Sequence, residues 1–192
     1  MKIDTGWWRQ LSQPWKNAFA EVFFKHTNEP NSEELARLYA SPTLRLAGPE
    51  APFANMSFTL TDLSGIKDLV NLEVLVVIYH ELERAEELQS LSNLKALFLH
   101  NNRIKSLRGI ETLTNLEQLY VQCNEIDRIL EVEKLTHLRE LYVHDNRISL
   151  LEGLTEEHTD TLNILMCKPN RLLKQKELMR VERELYIRCR GL

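Results

Sequence analysis

LKALFLHNNRI at residues 94–104 is a sequence motif, called the phrase below, that recurs as LEQLYVQCNEI at 116–126 and LRELYVHDNRI at 138–148. Each copy begins 22 residues after the previous one and reads Leu-x-x-Leu-x-Leu/Val-x-x-Asn-x-Ile. A fixed period in the twenties is typical of a solenoid in which every unit adds one short strand to a parallel sheet. Because one unit cannot bury its leucines alone, the copies predict a continuous core that neighbouring units share.

Degenerate copies of the phrase extend the repeat in both directions. A step of 22 residues backward from Leu97 reaches Leu75, with His80 in place of the asparagine, and a step of 24 forward from the third copy reaches Leu165, with Asn170. A side-chain amide at this position can satisfy backbone groups in the turn after each strand. We therefore expect a structural turn ladder, formed by His80, Asn102, Asn124, Asn146 and Asn170.

The C-terminal end of the repeat is predicted from a distant copy. LYIRC at residues 185–189 resembles LYVQC at 119–123, which lies 66 residues, or three periods, earlier. This spacing predicts a last strand over Glu184–Cys189, preceded by a short helix over Leu173–Val181. A terminal helix that continues to Ile187 is the competing prediction.

The first unit and the segment before it follow other patterns. Ser12 can cap a helix over residues 13–25, and Asn31 with Glu34 forms a capping-box pattern for a second helix to about Ala40. Aromatic residues on one face of the first helix predict a cap over the open end of the core, although such a face can also seek a membrane. An edge strand is predicted at residues 43–46, and an atypical first unit contains Phe53, Phe58 and Leu60.

Composition and charge exclude several classes of protein. The chain has 192 residues, of which 43% are hydrophobic, and a net charge of −4, which disfavours a general nucleic-acid binder. No apolar run approaches the roughly 20 residues that a membrane span needs. The start lacks the apolar stretch of a secretory signal, and three cysteines without paired spacing suit a reducing compartment. We therefore expect a cytoplasmic protein that binds neither nucleic acid nor a membrane.

Over roughly residues 50–190 the phrase resembles leucine-rich-repeat proteins of the 22-residue class. Trp7, Trp8, Trp15 and Phe19 are similar to the head of bacterial leucine-rich-repeat proteins. The resemblance implies an α/β fold: a right-handed solenoid with a curved parallel sheet, about six to seven repeats and short helices or turns on its back. It also implies a protein-binding role and no catalytic residues. The expected division is a helical cap at 1–48 and one continuous solenoid domain at 49–192.

The residue between the two inward positions of each strand is expected to face the concave side of the sheet. These residues form an aromatic and apolar stripe: Val76, Phe98, Tyr120, Tyr142, Met166 and Tyr186. A more polar neighbouring register adds His100, Gln122 and His144 to the candidate partner-binding surface. A contiguous aromatic patch indicates a partner site, whereas the structural alternative is that the rings stabilise the sheet by stacking across neighbouring strands.

Motifs of enzyme and cofactor sites do not occur in the sequence, which has no P-loop, dinucleotide-binding glycine pattern, metalloprotease helix or nucleophile elbow. We expect no enzymatic activity, no cofactor and no metal. The favoured function is a monomeric protein–protein interaction module. The alternative is a structural or self-assembling scaffold that pairs through its exposed last strand. A third hypothesis is nucleic-acid binding through the basic tail at residues 171–192.

Overall fold

A single sheet of parallel strands in chain order dominates the computed structural model, which describes residues 6–191. Its seven strands are β1 (Thr43–Ala47), β2 (Val74–Ile78), β3 (Ala96–Phe98), β4 (Gln118–Tyr120), β5 (Glu140–Tyr142), β6 (Ile164–Lys168) and β7 (Cys189–Gly191). The register aligns one buried leucine from each of the first six strands: Leu44, Leu75, Leu97, Leu119, Leu141 and Leu165. The predicted parallel solenoid is therefore confirmed.

The back of the sheet consists of short helices and turns, as the sequence predicts. The 3-10 helices are Glu86–Ser90, Ile110–Thr112, Leu130–Lys134 and Glu156–His158. The first three of them each bury one apolar side chain completely, Leu88, Ile110 and Val132. These residues and the strand leucines belong to one contiguous core cluster, which reaches from Trp7 to Cys189. Every repeat therefore shares its core with the next, as expected for a solenoid.

Three helices precede the sheet: α1 (Gly6–Gln10), α2 (Gln13–Phe19), which continues as a π-helical turn at Ala20–Phe24, and α3 (Ser32–Ala40). The predicted capping box is confirmed, because the Asn31 side chain accepts from the N–H of Glu34 at 3.0 Å and the Glu34 carboxylate accepts from the N–H of Asn31 at 2.8 Å. α2 begins after Ser12 as predicted, but the Ser12 side chain makes no capping hydrogen bond.

Trp15 joins these helices to the first unit. Its ring is fully buried, and its Nε1 donates to Oδ1 of Asp62 at 3.0 Å. A Cβ on Gly65 would lie 2.1 Å from the same ring, so the close approach of helix and unit requires a glycine. The aromatic face of α2 therefore packs against the repeat core. The predicted limits at residues 1 and 192 lie outside the described residues, and the division at residue 48 stays a prediction.

The first strand of the sheet is β1, as predicted for residues 43–46, and not a strand near Phe53. Leu44 and Leu46 are buried on either side of the partly exposed Arg45 and pair with residues of β2, so they supply the inward positions of the first unit. Phe53 lies in the loop after β1 and is 82% exposed. The prediction that Phe53 belongs to the apolar set of that unit is therefore wrong.

The C-terminal end also differs from the prediction. A helix, α4, spans Gln175–Glu184, and β7 begins only at Cys189. Arg190 is the partner of Met166 across the sheet, so Tyr186 is not part of the stripe. Tyr186 is 81% exposed in a left-handed conformation, with φ of 55°. The predicted strand over Glu184–Cys189 is wrong, and so is the helix through Ile187.

Helical packing explains why this segment leaves the predicted register. Leu178, Val181 and Leu185 are three and four residues apart, which places them on one face of a helix. All three are buried against the last repeat. Leu185 therefore ends the helix instead of entering the sheet, and its likeness to Leu119 does not reflect a shared position in the sheet.

Candidate binding surface on the concave face

The candidate binding surface is the face of the sheet that points away from the leucine core, which is the concave face of a solenoid. Side chains alternate along a strand, so the residue between two buried positions lies on this face. The register aligns these residues into one line across the sheet, called the central row below. The central row consists of Arg45, Val76, Phe98, Tyr120, Tyr142, Met166 and Arg190.

The row contains all the stripe residues predicted from the sequence except Tyr186. The structure adds Arg45 at one end and Arg190 at the other. Arg45 could have been found from its place between Leu44 and Leu46, which have the alternation of a strand. The position of Arg190 depends on where α4 ends, and the repeat period carries no signal for that.

Three aromatic rings stack along the centre of the row. The ring centroids of Phe98 and Tyr120 are 4.7 Å apart at an interplanar angle of 34°, and those of Tyr120 and Tyr142 are 4.2 Å apart at 11°. Such pairs stabilise a fold by about 0.5–1.5 kcal/mol each beyond their area burial. All three side chains remain half-exposed. Stacking therefore occurs, and it leaves ring surface open on the concave side.

Glu140 fixes the orientation of the central ring. The Tyr120 hydroxyl donates a short hydrogen bond to the Glu140 carboxylate, and Nε2 of Gln118 donates to the same group at 3.2 Å. Burial, together with the hydrogen bond to Glu140, raises the pKa of Tyr120 above its usual value. The phenol therefore stays protonated and keeps its donor role, which holds the ring in the stack.

The neighbouring row is polar and less accessible. His100 and Gln122 are half-buried, whereas His144 is only 6% exposed. Nδ1 of His100 lies 2.8 Å from Nδ2 of Asn101, and burial lowers the pKa of His100. Nε2 of His144 is 3.8 Å from the Asp145 carboxylate. Of the three predicted flanking residues, His100 and Gln122 therefore present more surface to a partner than His144.

The asparagines of the turn ladder bind the backbone of two successive units. Nδ2 of Asn124 donates to the carbonyl oxygens of Leu99 and Val121, both at 3.0 Å, while its Oδ1 accepts from the N–H of Ile104 at 2.9 Å. Asn102, Asn146 and Asn170 make equivalent sets of bonds. Each amide thus satisfies three buried backbone groups that would otherwise lack partners.

His80 takes the asparagine position in the unit of β2 and is 5% exposed. Its Nδ1 accepts from the N–H of Leu60 at 3.1 Å; the ring also lies near the Leu46 backbone, but its buried Nε2 has no hydrogen-bond partner among the described residues. Burial lowers the pKa of His80 to about 4, although the Leu46 contact acts in the opposite direction. The neutral ring accepts one backbone N–H, as the Oδ1 of a ladder asparagine does, so it reproduces part of the bonding of an asparagine amide.

A left-handed residue precedes each of the first four ladder positions. Tyr79, Asn101, Cys123 and Asp145 have φ of 58°, 57°, 57° and 53°. Asn and Asp tolerate this conformation, whereas Tyr and Cys pay a steric cost. Asn101 and Asp145 are the sequence signal for this sharp turn, which the repeat motif alone does not predict.

Ion pairs between residues 22 apart line both edges of the strands, and the exposed pairs are called rim pairs below. Their N–O distances range from 2.8 to 3.3 Å. The pairs are Glu73–Lys95 and Glu117–Arg139 before the strands, and Glu81–Arg103, Glu83–Lys105 and Glu125–Arg147 after them. Each exposed pair contributes only about 0–1 kcal/mol. Because of these pairs, the charged side chains along the strand edges have partners of opposite charge within the protein.

Residues 92–132 match the leucine-rich-repeat family as two copies of the repeat. The chain has the leucine-rich-repeat fold. The remaining units follow from the strand register, which continues the pattern of the matched residues to both ends of the sheet.

Solved structures with the same fold include bacterial leucine-rich-repeat proteins. An internalin of Listeria monocytogenes, InlF, is 22% identical, with a TM-score of 0.57 over 70% of this chain and 38% of its own. The functional domain of InlJ from the same species is 21% identical, with a TM-score of 0.61 over 93% of this chain and 42% of its own. A leucine-rich-repeat protein of Leptospira interrogans is 21% identical, with a TM-score of 0.55 over 88% and 46%.

These likenesses show the fold alone. The chain spans less than half the length of each of the three proteins. No curated protein sequence matches it. Within residues 6–191, no helix combines the length and apolar character that crossing a membrane requires.

The concave face combines aromatic and polar groups. The part of the chain that the structure describes has no cluster of three or more His, Cys, Asp or Glu side chains that could hold a metal ion. The face offers half-exposed aromatic rings, amides and two terminal guanidinium groups on a rigid sheet. Leucine-rich-repeat solenoids commonly use such a surface to bind another protein.

Proposed function

We propose that the protein is a non-catalytic interaction module that holds a protein partner against the central row of its concave face. The proposed contact residues are Val76, Phe98, Tyr120, Tyr142 and Met166, flanked by His100, Gln122 and His144. The observation that carries the proposal is the stack of three half-exposed rings at the centre of the row. Aromatic residues of this kind are the usual anchors of protein interfaces.

The rigidity of the stack supports this proposal energetically. Phe98, Tyr120 and Tyr142 are held by one another and by the hydrogen bond to Glu140. Side chains that are already ordered lose little conformational entropy when a partner binds, so more of the contact energy appears as affinity. The rim pairs leave few unsatisfied charges around the centre, which favours an interface with an apolar core.

The test is affinity capture with quantitative mass spectrometry, comparing wild type with a triple variant, Phe98→Ala, Tyr120→Ala and Tyr142→Ala. The matched control is Val70→Ala, Leu130→Ala and Leu150→Ala, which removes exposed apolar side chains from other parts of the surface. We expect the first variant to lose proteins that wild type and control both retain. Circular dichroism of both variants verifies that they are folded. Equal recovery by all three proteins would contradict the proposal.

The alternative function, self-assembly through the last strand, requires β7 to pair with another chain. β7 has three residues, Cys189–Gly191, and Arg188 and Arg190 are exposed beside its free edge. Short, charged edge strands resist such pairing, so we propose a monomer. Sedimentation at several protein concentrations decides this point, because a mass that grows with concentration would support the alternative.

A cytoplasmic location also belongs to the proposal. Cys123, Cys167 and Cys189 are free thiols, and the last two are buried. Free thiols suit a reducing compartment. Cell fractionation with an antibody against the protein tests this location, and recovery in a secreted fraction would contradict it.

A further inference from the structure

The concave face changes in character from one end to the other. Near β1 and β2, Ala47, Ala51 and Ile78 form a small buried cluster, against which Val76 and Phe98 pack. Ala51 belongs to the loop after β1, so this loop closes the N-terminal end of the face with apolar surface. An occupant of this end therefore meets apolar groups together with Arg45, whose guanidinium already donates to the carbonyl oxygen of Phe53.

The opposite end carries cations without carboxylate partners. Lys168 lies on the same side of β6 as Met166, and Arg190 pairs with Met166 across β6 and β7. Among residues 6–191, no carboxylate oxygen lies within 4.0 Å of a side-chain nitrogen of Lys168, Arg188 or Arg190, whereas the rim cations are ion-paired. Arg190 makes one long hydrogen bond, 3.5 Å from Nη2 to the carbonyl oxygen of Asn163.

We infer that the partner binds as an extended protein segment that is acidic at one end, with its apolar part on the aromatic stack and its carboxylates on Lys168 and Arg190. This inference rests on the proposed function, because it names the chemistry of a partner for the same surface. The whole chain has a net charge of −4, so a basic patch here is local and opposes the overall charge. A carboxylate that binds these cations forms charge-assisted hydrogen bonds, which are stronger than neutral ones.

The distance between neighbouring strands determines how far apart the aromatic anchor and the acidic residue of the bound segment lie. Tyr142 and Arg190 are two strands apart through Met166, a distance of about 10 Å at about 4.8 Å per strand. An extended chain advances about 3.3 Å per residue, so an acidic residue about three positions from an aromatic anchor on Tyr142 reaches Arg190. The six strand spacings of the row accommodate a segment of roughly nine residues.

Glu140 favours a protein segment over a nucleic acid, although both are anionic and both can stack on aromatic rings. The Glu140 carboxylate lies on the concave face beside Tyr120, in the middle of the sheet. A nucleic acid carries one charge per nucleotide and would place a phosphate close to this group. A protein segment with acidic residues only at one end avoids Glu140 and can donate a backbone N–H to it.

The first experiment selects displayed random peptides of roughly 12 residues on the wild-type protein, after removal of peptides that bind the triple alanine variant of the stack. We expect enriched peptides to contain an aromatic or aliphatic anchor with Asp or Glu about three positions away. If no peptide depends on the aromatic stack, the proposed function and this inference both fall. If dependent peptides show no preference for acidic residues, the inference falls and the proposed function stands.

The second experiment reverses charge. Enriched peptides are titrated by fluorescence anisotropy against wild type, against Lys168→Glu with Arg190→Glu, and against the control Arg103→Glu with Arg147→Glu, which makes the same charge change in rim pairs. We expect about tenfold or greater loss of affinity for the first variant only, and a decrease of wild-type affinity with added salt. Equal losses for both variants would overturn the inference, as would tighter binding of a single-stranded oligonucleotide than of any enriched peptide at the same residues.

Discussion

The three middle units and the two ends of the sheet are built on different rules. Between residues 94 and 148, strand register and turn ladder repeat together every 22 residues. At the N-terminal end, Leu44 and Leu75 pair across β1 and β2 although they are 31 residues apart. At the C-terminal end, a helix replaces the strand that the period predicts. A repeat period therefore describes only units that have neighbours on both sides.

The physical reason is the environment of the terminal units. A middle unit receives its packing partners from identical units above and below, so the same residue types are needed at the same positions. A terminal unit must cover exposed leucines on one side, which requires helices and loops of different composition. Trp15 and α2 do this at one end, and Leu178 and Val181 of α4 do it at the other.

The largest effect is expected for the shared core of the middle units. Leu119→Ala removes a fully buried side chain between two neighbouring leucines of the sheet, and we expect a loss of about 2–5 kcal/mol in the free energy of unfolding. Leu178→Ala in α4 has neighbours from one side only, and its loss should be smaller by about 1–2 kcal/mol. Urea titrations monitored by circular dichroism measure both values. Equal losses would remove the distinction between middle and end.

A second difference concerns the ladder position that is not an asparagine. The pKa of His80 falls from 6.5 to about 4 on folding, so the unfolded chain takes up a proton on this residue more readily than the folded protein. The contribution of neutral His80 to the free energy of unfolding is complete above pH 6.5, and it is lost as the pH falls toward 4. This shift corresponds to about 3 kcal/mol. We expect His80→Asn, which restores the residue of the middle units, to remove that part of the acid sensitivity.

The measurement is the free energy of unfolding of wild type and His80→Asn across this pH range. Burial also lowers the pKa values of His100 and His158, but these residues are present in both proteins and cancel in the comparison. The difference between the two proteins should therefore grow as the pH falls. A constant difference would show that His80 does not titrate with the lowered pKa.

The smallest effect is expected within the turns of the middle units. Cys123 has φ of 57°, a left-handed conformation that Asn adopts at lower cost, because its short polar side chain can hydrogen-bond locally. We expect Cys123→Asn to stabilise the protein by about 0.5–1 kcal/mol. Asp145→Asn is the matched control, because Asp145 already tolerates its φ of 53°, and its change should be near zero. Thermal melts of both variants suffice, and destabilisation by Cys123→Asn would contradict the expectation.

The sequence predicted the parts of the molecule whose signal is periodic or local. The leucine register from Leu75 to Leu165 follows from the period, and the capping box of Asn31 follows from two residues three positions apart. The central row from Val76 to Met166 then follows from strand alternation. These features are set by neighbours in the chain or by the next copy of the unit.

The positions of Arg190 and Tyr186 could not be predicted in this way. Both depend on a competition between a strand, favoured by likeness to residues 119–123, and a helix, favoured by Leu178, Val181 and Leu185. Tertiary packing of the helix over the last repeat decides that competition, and the free energy of this packing cannot be read from the local sequence. At the basic end of the candidate site, Lys168 belongs to β6, which the repeat predicts, whereas Arg190 belongs to β7, which it does not.

The rim pairs also constrain how such an array can lengthen. Residues 73, 95, 117 and 139 alternate in charge as Glu, Lys, Glu and Arg, and residues 81, 103, 125 and 147 alternate as Glu, Arg, Glu and Arg. Duplication of a single unit within the array would bring two like charges side by side at both edges. Duplication of two consecutive units would preserve attraction at every junction, so a 44-residue pair, twice the 22-residue period of the strands, is the smallest insertion that keeps the alternation of charge.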